Sequence, residues 1–188
     1  LVAHFDGRGM SVAPGASGAD AWNWGLELTS YGFPGGELAV DQPQAMQAAG
    51  NRLAYHWGAD LEEWYVNQAR GVEHGFTLAQ RPGGADPGEQ LFFDLRVRGG
   101  LNTEVTGAGR DVRFRLPTGE TAITYNGLVV FDAKGTKLDA SFSSNGETLQ
   151  LAIDEAAATY PLTIDPVVQQ EYLKASNTGS GDRFGWAV

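Results

Sequence analysis

Residues 53–82 read LAYHWGADLEEWYVNQARGVEHGFTLAQRP and hold two of the five Trp and two of the three His of the chain. At a spacing of two, Leu53, Tyr55 and Trp57 fall on one side of an extended segment, because successive side chains of a strand point to opposite faces. The same spacing groups a second set, Val72, His74, Phe76 and Leu78. Both segments are therefore predicted as strands with one buried face.

Between these two segments, residues 61–67 carry aromatic and β-branched side chains that suit a half-buried strand, Trp64, Tyr65 and Val66. Residues 68–71 read QARG and are predicted to turn. The whole stretch is expected to form the densest part of a hydrophobic core. It shows no active-site motif.

The same alternation continues on both sides of this stretch. Residues 22–31, WNWGLELTSY, alternate as a half-buried strand, and short alternating runs follow one another from residue 89 to residue 164. Turns rich in Gly separate the runs, and the pairs Asn126-Gly127 and Asn145-Gly146 are the strongest hairpin signals. Strands without intervening helices favour an all-β fold, an antiparallel β-sandwich that is jelly-roll-like or a meander.

One segment has helical composition. Residues 41–50 read DQPQAMQAAG, in which Asp41 suits a helix N-cap and Gly50 a helix end. A short helix or a loop is expected there, and little helix elsewhere.

Composition excludes several classes of partner. A formal net charge of −10 disfavours a nucleic-acid backbone or an anionic membrane, since both attract basic surfaces. The chain has no Cys, so disulfides and thiol chemistry are excluded. No apolar run approaches the 18 or so residues of a membrane span, and the N-terminus lacks the pattern of a signal peptide. Because it begins with Leu1 and stops in an apolar run, the chain is expected to be a piece of a longer protein.

A domain boundary is predicted near Pro166. Pro161 and Pro166 cannot donate to a strand ladder and are expected to end the last strand of a sandwich domain over residues 1–166. Residues 167–188 are then a linker and the incomplete start of a second all-β unit.

The C-terminal residues carry a resemblance to a known family. In the tail EYLKASNTGSGDRFGWAV, the run from Gly181 through Asp182 and Phe184 to Gly185 resembles the opening of an FG-GAP repeat, the blade of integrin-alpha-like β-propellers. The segments WYVN (64–67), GVEHGFTL (71–78) and YPLTIDP (160–166) are similar to an uncharacterised β-rich region that precedes such repeats in large secreted or surface proteins of bacteria.

This resemblance implies an extracellular multidomain protein with adhesion or interaction roles. Blades of this type often bind calcium, so calcium is expected in downstream repeats. The chain stops before the calcium loop would be reached, and no calcium ligand or other cofactor is carried over to its residues.

Three carboxylates near aromatic side chains, Glu62, Glu63 and Glu73, suit the acid and base of a glycoside hydrolase. The simpler interpretation is that Glu62 or Glu63 faces solvent on a strand that packs its other side. No Gly-x-Ser-x-Gly motif supports a nucleophilic serine, and Ser180 lies in a Gly-rich loop.

His56 and His74 with Glu73 could hold a metal ion, but the short spacing of a metal motif is missing. His74 shares its predicted face with Val72 and Phe76. It is expected to be a hydrogen-bonded structural histidine, so no metal site is predicted.

Exposed Trp rings bind sugars by stacking and also mark protein interfaces. Most of the Trp residues are expected in the core, and Trp22 and Trp64 are the predicted ligand-binding candidates.

The sequence with its resemblance predicts a non-catalytic structural or adhesive module of a secreted or cell-surface bacterial protein. The alternative is a carbohydrate-binding module that uses exposed aromatics, and a glycoside hydrolase is the weaker third hypothesis. Expected partners are an extracellular protein or a glycan, and a second copy of the chain through edge strands.

Overall fold

The computed structural model describes residues 2–15, 22–69, 71–84, 86 and 88–170. Within these ranges the chain forms sixteen strands, one short 3-10 turn at Gly107–Gly109 and no α-helix. The prediction of an all-β fold is confirmed. The strands are β1 (Val2–Phe5), β2 (Gly9–Ala13), β3 (Trp24–Gly32), β4 (Leu38–Ala39), β5 (Ala45–Ala49), β6 (Arg52–His56), β7 (Leu61–Gln68), β8 (Gly71–Leu78), β9 (Leu91–Gly99), β10 (Asn102–Thr106), β11 (Asp111–Arg115), β12 (Thr121–Phe131), β13 (Lys137–Leu138), β14 (Ala140–Ser144), β15 (Thr148–Ile153) and β16 (Leu162–Gln170).

The strands form two antiparallel sheets that pack face to face. The seven-stranded sheet has the order β1-β2-β3-β9-β15-β14, with β4 beside β3. The nine-stranded sheet has the order β10-β11-β12-β16-β8-β7-β6-β5, with β13 beside β12. Hairpin-linked strands such as β5 to β8 alternate with long crossovers, since β16 inserts between β12 and β8. The predicted β-sandwich is confirmed.

The core lies between the two sheets and is rich in aromatic rings. Phe76 of the nine-stranded sheet lies 5.2 Å from Phe93 of the other sheet, measured between ring centroids. Trp24 and Phe114 lie 4.6 Å apart across the same interface. Such tilted pairs add to the free energy gained from burying apolar surface.

Residues 53–82 contribute to three adjacent strands, β6, β7 and β8. Tyr65 of β7 pairs directly with His74 of β8, and Gln68 pairs with Gly71 across the predicted turn. The faces predicted from the spacing of two are confirmed, because Tyr55, His74 and Phe76 are fully buried.

The helix expected over residues 41–50 is wrong. Ala45–Ala49 form β5, which pairs with β6 from Ala45–His56 to Ala49–Arg52. Gly50 has a φ of 60° and serves the tight turn into β6 rather than a helix end. Pairing with a neighbouring strand has overridden a weak local helix propensity.

The hairpin turn predicted at Asn126-Gly127 is not found. Asn145-Gly146 does join a hairpin, between β14 and β15, but Asn126-Gly127 lies inside the continuous strand β12. Gly127 has a φ of 73° at a shift of register in the pairing with β16, so the dipeptide forms a bulge and not a turn.

The last strand does not end at the prolines. β16 runs through Pro166 to Gln170, so the boundary predicted near residue 166 falls inside a strand. In the ladder between β8 and β16, Ile164 and Val167 have partners but residues 165 and 166 have none. Pro166, which has no N–H group to donate, is therefore tolerated within the strand. The rest of the predicted second unit, residues 171–188, lies outside the described residues.

Candidate functional site

A fully buried carboxylate stands at the centre of the core. Glu63 follows the inward phase of β7 with Leu61 and Tyr65, and its side chain has no exposed surface. Its Oε2 accepts a hydrogen bond from Trp57 Nε1 at 2.8 Å, and its Oε1 accepts one from the Tyr65 hydroxyl at 2.6 Å. Of the two glutamates considered for a position facing solvent, Glu62 lies on the outward side and is half-buried, whereas Glu63 points into the core.

A buried imidazole completes this cluster. His74 on β8 has no exposed surface, and its Nε2 lies 2.9 Å from Glu63 Oε1. A carboxylate can only accept, so Nε2 carries the proton of this bond. In the neutral imidazole, Nδ1 then accepts from the Tyr125 hydroxyl at 2.9 Å. His74 is the hydrogen-bonded structural histidine that the sequence predicts.

The two tyrosines of the cluster act as permanent donors. Burial raises the pKa of the Tyr65 hydroxyl well above its usual value, and the charge of Glu63 raises it further. Burial and then Glu63 have the same effect on the pKa of Tyr125. Both phenols stay protonated across the physiological range, so Tyr65 and Tyr125 keep donating hydrogen bonds within the Glu63 cluster, which is defined as Trp57, Glu63, Tyr65, His74 and Tyr125.

The carboxylates considered for hydrolysis do not share a cleft. Glu63 lies between the sheets, whereas Glu62 and Glu73 occupy the alternate phase on the outward side of the nine-stranded sheet. Glu62 pairs with Arg52, and His56 Nδ1 lies 3.7 Å from its Oε2. A glycosidase needs two carboxyl groups on either side of one substrate bond.

The histidines considered for metal binding are also separated. His56 lies on the outward side of β6 near Glu62, while His74 is buried among aromatic rings with Tyr65 stacked on it at 4.7 Å. Among the described residues, no three His, Cys, Asp or Glu side chains come close enough to hold a metal ion.

Trp64 lies flat against the outward side of the nine-stranded sheet. Its Cα partner is Gly75, whose missing side chain leaves room for the ring, and Trp64 Nε1 donates to Thr77 Oγ1 at 3.2 Å. The Arg52 guanidinium lies 5.8 Å from the ring centroid. Trp64 is only 8% exposed and so presents no open platform, and Trp22 is half-buried against the core.

Two acidic side chains that the sequence did not place together, Glu73 and Asp165, lie close to each other on the same outward side. Asp165 of β16 is near Glu73 of β8, and burial followed by the charge of Glu73 raises the pKa of Asp165 to about 6. Asp165 Oδ1 is buried without a hydrogen-bond partner. Glu73 accepts from Gln68 Nε2.

This pair yields a prediction for the pH dependence of stability. The folded chain holds the Asp165 proton more tightly than the unfolded chain, since the pKa rises from 3.8 to about 6. The resulting stabilisation is complete below pH 3.8 and is lost as the pH rises through about 6. At neutral pH, Asp165→Asn is therefore expected to raise the free energy of unfolding by about 1 kcal/mol, a value reduced for partial exposure.

Urea denaturation of both proteins over this pH range measures the effect. The Asp165→Asn protein should lose the part of the wild-type pH dependence that lies between the two pKa values. Asp154→Asn, which changes an exposed aspartate directly after β15 of the seven-stranded sheet, is the control. An identical pH dependence in the wild type and in Asp165→Asn would contradict the assignment.

An open cleft of about 710 Å³ lies at the end of the sandwich where β6, β7 and β8 meet β1 and β2. Its size suits a small ligand or a short chain segment. Apolar side chains and amides share its wall: Phe5, Val12, Asn51, Leu53, Tyr65, Asn67, Gln68 and Val72. Arg52 is the one charged residue of the described lining, and it is already paired with Glu62.

Phe5 is the aromatic residue at the mouth of this end cleft. It is 38% exposed, and its ring lies 4.9 Å from the ring of Tyr65, which reaches the Glu63 cluster through its hydroxyl. Sequence reasoning missed Phe5, although the alternation of residues 1–6 places it on a strand.

Comparisons of the chain with protein-family models, curated proteins and solved structures found no match. Across the part of the chain that the structure describes, no helix has the length and apolar character needed to span a bilayer.

Proposed function

We propose that the chain is a non-catalytic structural or adhesive module of a secreted or cell-surface bacterial protein, mediating extracellular interaction or assembly. The observation that carries the proposal is that the buried acid and base lie apart from the open cleft that a ligand could enter. The buried acid and base, Glu63 and His74, are sealed between the sheets, while the described lining of the end cleft consists of apolar side chains, amides and one paired cation. A site of this kind suits recognition better than bond cleavage.

The proposed location rests on the resemblance of residues 181–185 to the opening of an FG-GAP repeat. It is tested on intact cells that produce the protein, with an antibody against the sandwich. Protease added outside the cells should remove the antibody signal while a cytoplasmic marker stays intact. Loss of the signal only after lysis would overturn the location.

The second candidate function is carbohydrate binding. Specific features of the end cleft favour it: an exposed Phe5 ring can stack on a sugar face, and the amides of Asn51, Asn67 and Gln68 suit hydroxyl groups. The absence of an unpaired charge in the described lining favours a neutral sugar over an acidic one.

Binding of the purified chain to a broad glycan array tests this candidate. Phe5→Ala is expected to weaken binding about fivefold, since an exposed stacking ring contributes on the order of 1 kcal/mol. Leu38→Ala removes a similarly exposed apolar side chain, 47% exposed on β4, and should leave binding unchanged. Trp22→Ala and Trp64→Ala run beside them. Silence of the folded wild type on the array would count against carbohydrate binding.

A further inference from the structure

The free edge of the nine-stranded sheet is unusually open. All five residues of β5 are exposed, and among the described residues β5 pairs with β6 alone. Its sequence AMQAA contains no charge and no proline, two of the devices by which edge strands avoid pairing with other chains. Its backbone groups can therefore accept another strand.

Two other edge strands, β14 and β10, are better protected. The turn at Gly107–Gly109 covers β14, since Gly109 lies against Ser141 and Phe142. On β10, Glu104 points outward in an ion pair with Arg115. These edges would resist an added strand more than β5 does.

Exposed apolar side chains concentrate on the side of the sandwich that contains β5. The facing edge of the seven-stranded sheet is β1, which carries Val2 at 44% exposure and Phe5 at 38%. Met46 of β5 is 62% exposed and lies against Gly7, which follows β1. Three of the five large apolar side chains exposed in the described residues thus share one side.

We infer that β5 pairs antiparallel with β5 of a second copy of this chain, about a two-fold axis at Gln47. This register sets Met46 opposite the small Ala48 of the other copy, Ala45 opposite Ala49, and Gln47 opposite itself. The strand is self-complementary in size, and two amides face each other on the outward side.

Charge also favours a second copy at this edge. Two chains of net charge −10 repel each other over most of their surfaces, and β5 is an uncharged strip where they can approach without opposing like charges. Met46 and Ala48 follow the inward phase, opposite Tyr55 and Leu53. The Met46 side chain of each copy would then cover the Ala48 edge of the end cleft in the other.

This inference rests on the proposed role in assembly, and the absence of Cys from the chain gives a direct test. Directly opposed residues of an antiparallel pair have Cα atoms about 4.5–5.5 Å apart, within the range of a disulfide. Gln47→Cys should therefore form a covalent dimer under mild oxidation. Ala49→Cys is the matched control on the same strand and face, because its two copies would stand about 13 Å apart.

The expected result is cross-linking of Gln47→Cys about tenfold faster than of Ala49→Cys alone. A mixture of Ala45→Cys and Ala49→Cys should cross-link as heterodimers. In sedimentation velocity the wild type should dimerise with rising concentration, Met46→Lys should weaken the dimer about tenfold or more, and Leu38→Lys should not.

A wild type that stays monomeric at every concentration, or equal cross-linking of Gln47→Cys and Ala49→Cys, overturns the inference. In that case β5 either pairs with an extended segment of a different protein or has no partner strand. Surface exposure of the protein on intact cells would survive that result, so failure of this inference and failure of the proposed function are distinguishable.

Discussion

Replacing Glu63 by alanine is expected to lower the free energy of unfolding by about 4 kcal/mol. The carboxylate accepts hydrogen bonds from three buried groups: the Trp57 indole, the Tyr65 hydroxyl and the His74 imidazole. Its removal leaves these donors without an acceptor, in a core from which water is excluded, and opens a cavity beside them. A buried donor without a partner loses its full hydration, which makes the loss larger than the net value of the bonds.

Urea or guanidinium denaturation, followed by tyrosine and tryptophan fluorescence, measures this change. Glu62→Ala is the matched control one residue away, because it removes a half-exposed ion pair with Arg52 and should change stability by about 1 kcal/mol or less. Glu63→Gln should fall between the two, since its amide keeps one acceptor and turns a donor toward other donors. Equal losses for Glu62→Ala and Glu63→Ala would contradict a structural role for the Glu63 cluster.

The alternation of residues 61–65 predicts that Glu63 lies on the same face as Leu61 and Tyr65. Leu61, Glu63 and Tyr65 share one phase of β7, and the phase of an established strand fixes the face of each side chain. A glutamate is normally expected to face solvent because burying a carboxylate is costly. Here hydrogen bonds from Trp57, Tyr65 and His74 offset that cost. The partners Trp57 and His74 could not be assigned to Glu63 without the register of β6, β7 and β8.

The boundaries that sequence reasoning missed have one cause in common. Residues 45–49, Asn126-Gly127 and Pro166 each carry a local signal for a helix, a turn or a strand end. In each case pairing with a distant strand decides the conformation: β6 for β5, β16 for β12, and β8 for β16. Local patterns predict which segments are strands, and the sheet decides where each strand bends or ends.

The end cleft was beyond prediction for a different reason. Its wall combines Phe5 near the start of the chain with Tyr65 and Val72 from the central strands and Val168 near the end of the last strand. No sequence spacing relates these positions, because the crossovers of the sandwich bring them together. The acidic pair of Glu73 and Asp165 arises in the same way, from β8 and β16.

The second large effect is expected at Gly75, where Gly75→Ala should lower the free energy of unfolding by about 3 kcal/mol. A Cβ at this position would overlap the Trp64 ring and stand 2.5 Å from the backbone oxygen of Ile164. The ring is held in place by its hydrogen bond to Thr77, and the Ile164 oxygen belongs to the neighbouring strand β16. Neither group can move without disturbing the sheet.

Thermal and urea denaturation of Gly75→Ala should be compared with Gly100→Ala, where an added Cβ would meet nothing within 4 Å. Gly100→Ala is expected to change stability by about 1 kcal/mol or less, because it mainly restricts the unfolded chain. Trp64→Ala should itself be destabilising, by about 3 kcal/mol or more. The double variant should lose less than the sum of the two single changes, since removing the ring removes one of the two clashes. Strict additivity, or a neutral Gly75→Ala, would show that the Trp64 ring does not lie over Gly75, and would restore Trp64 as a candidate for an exposed binding platform.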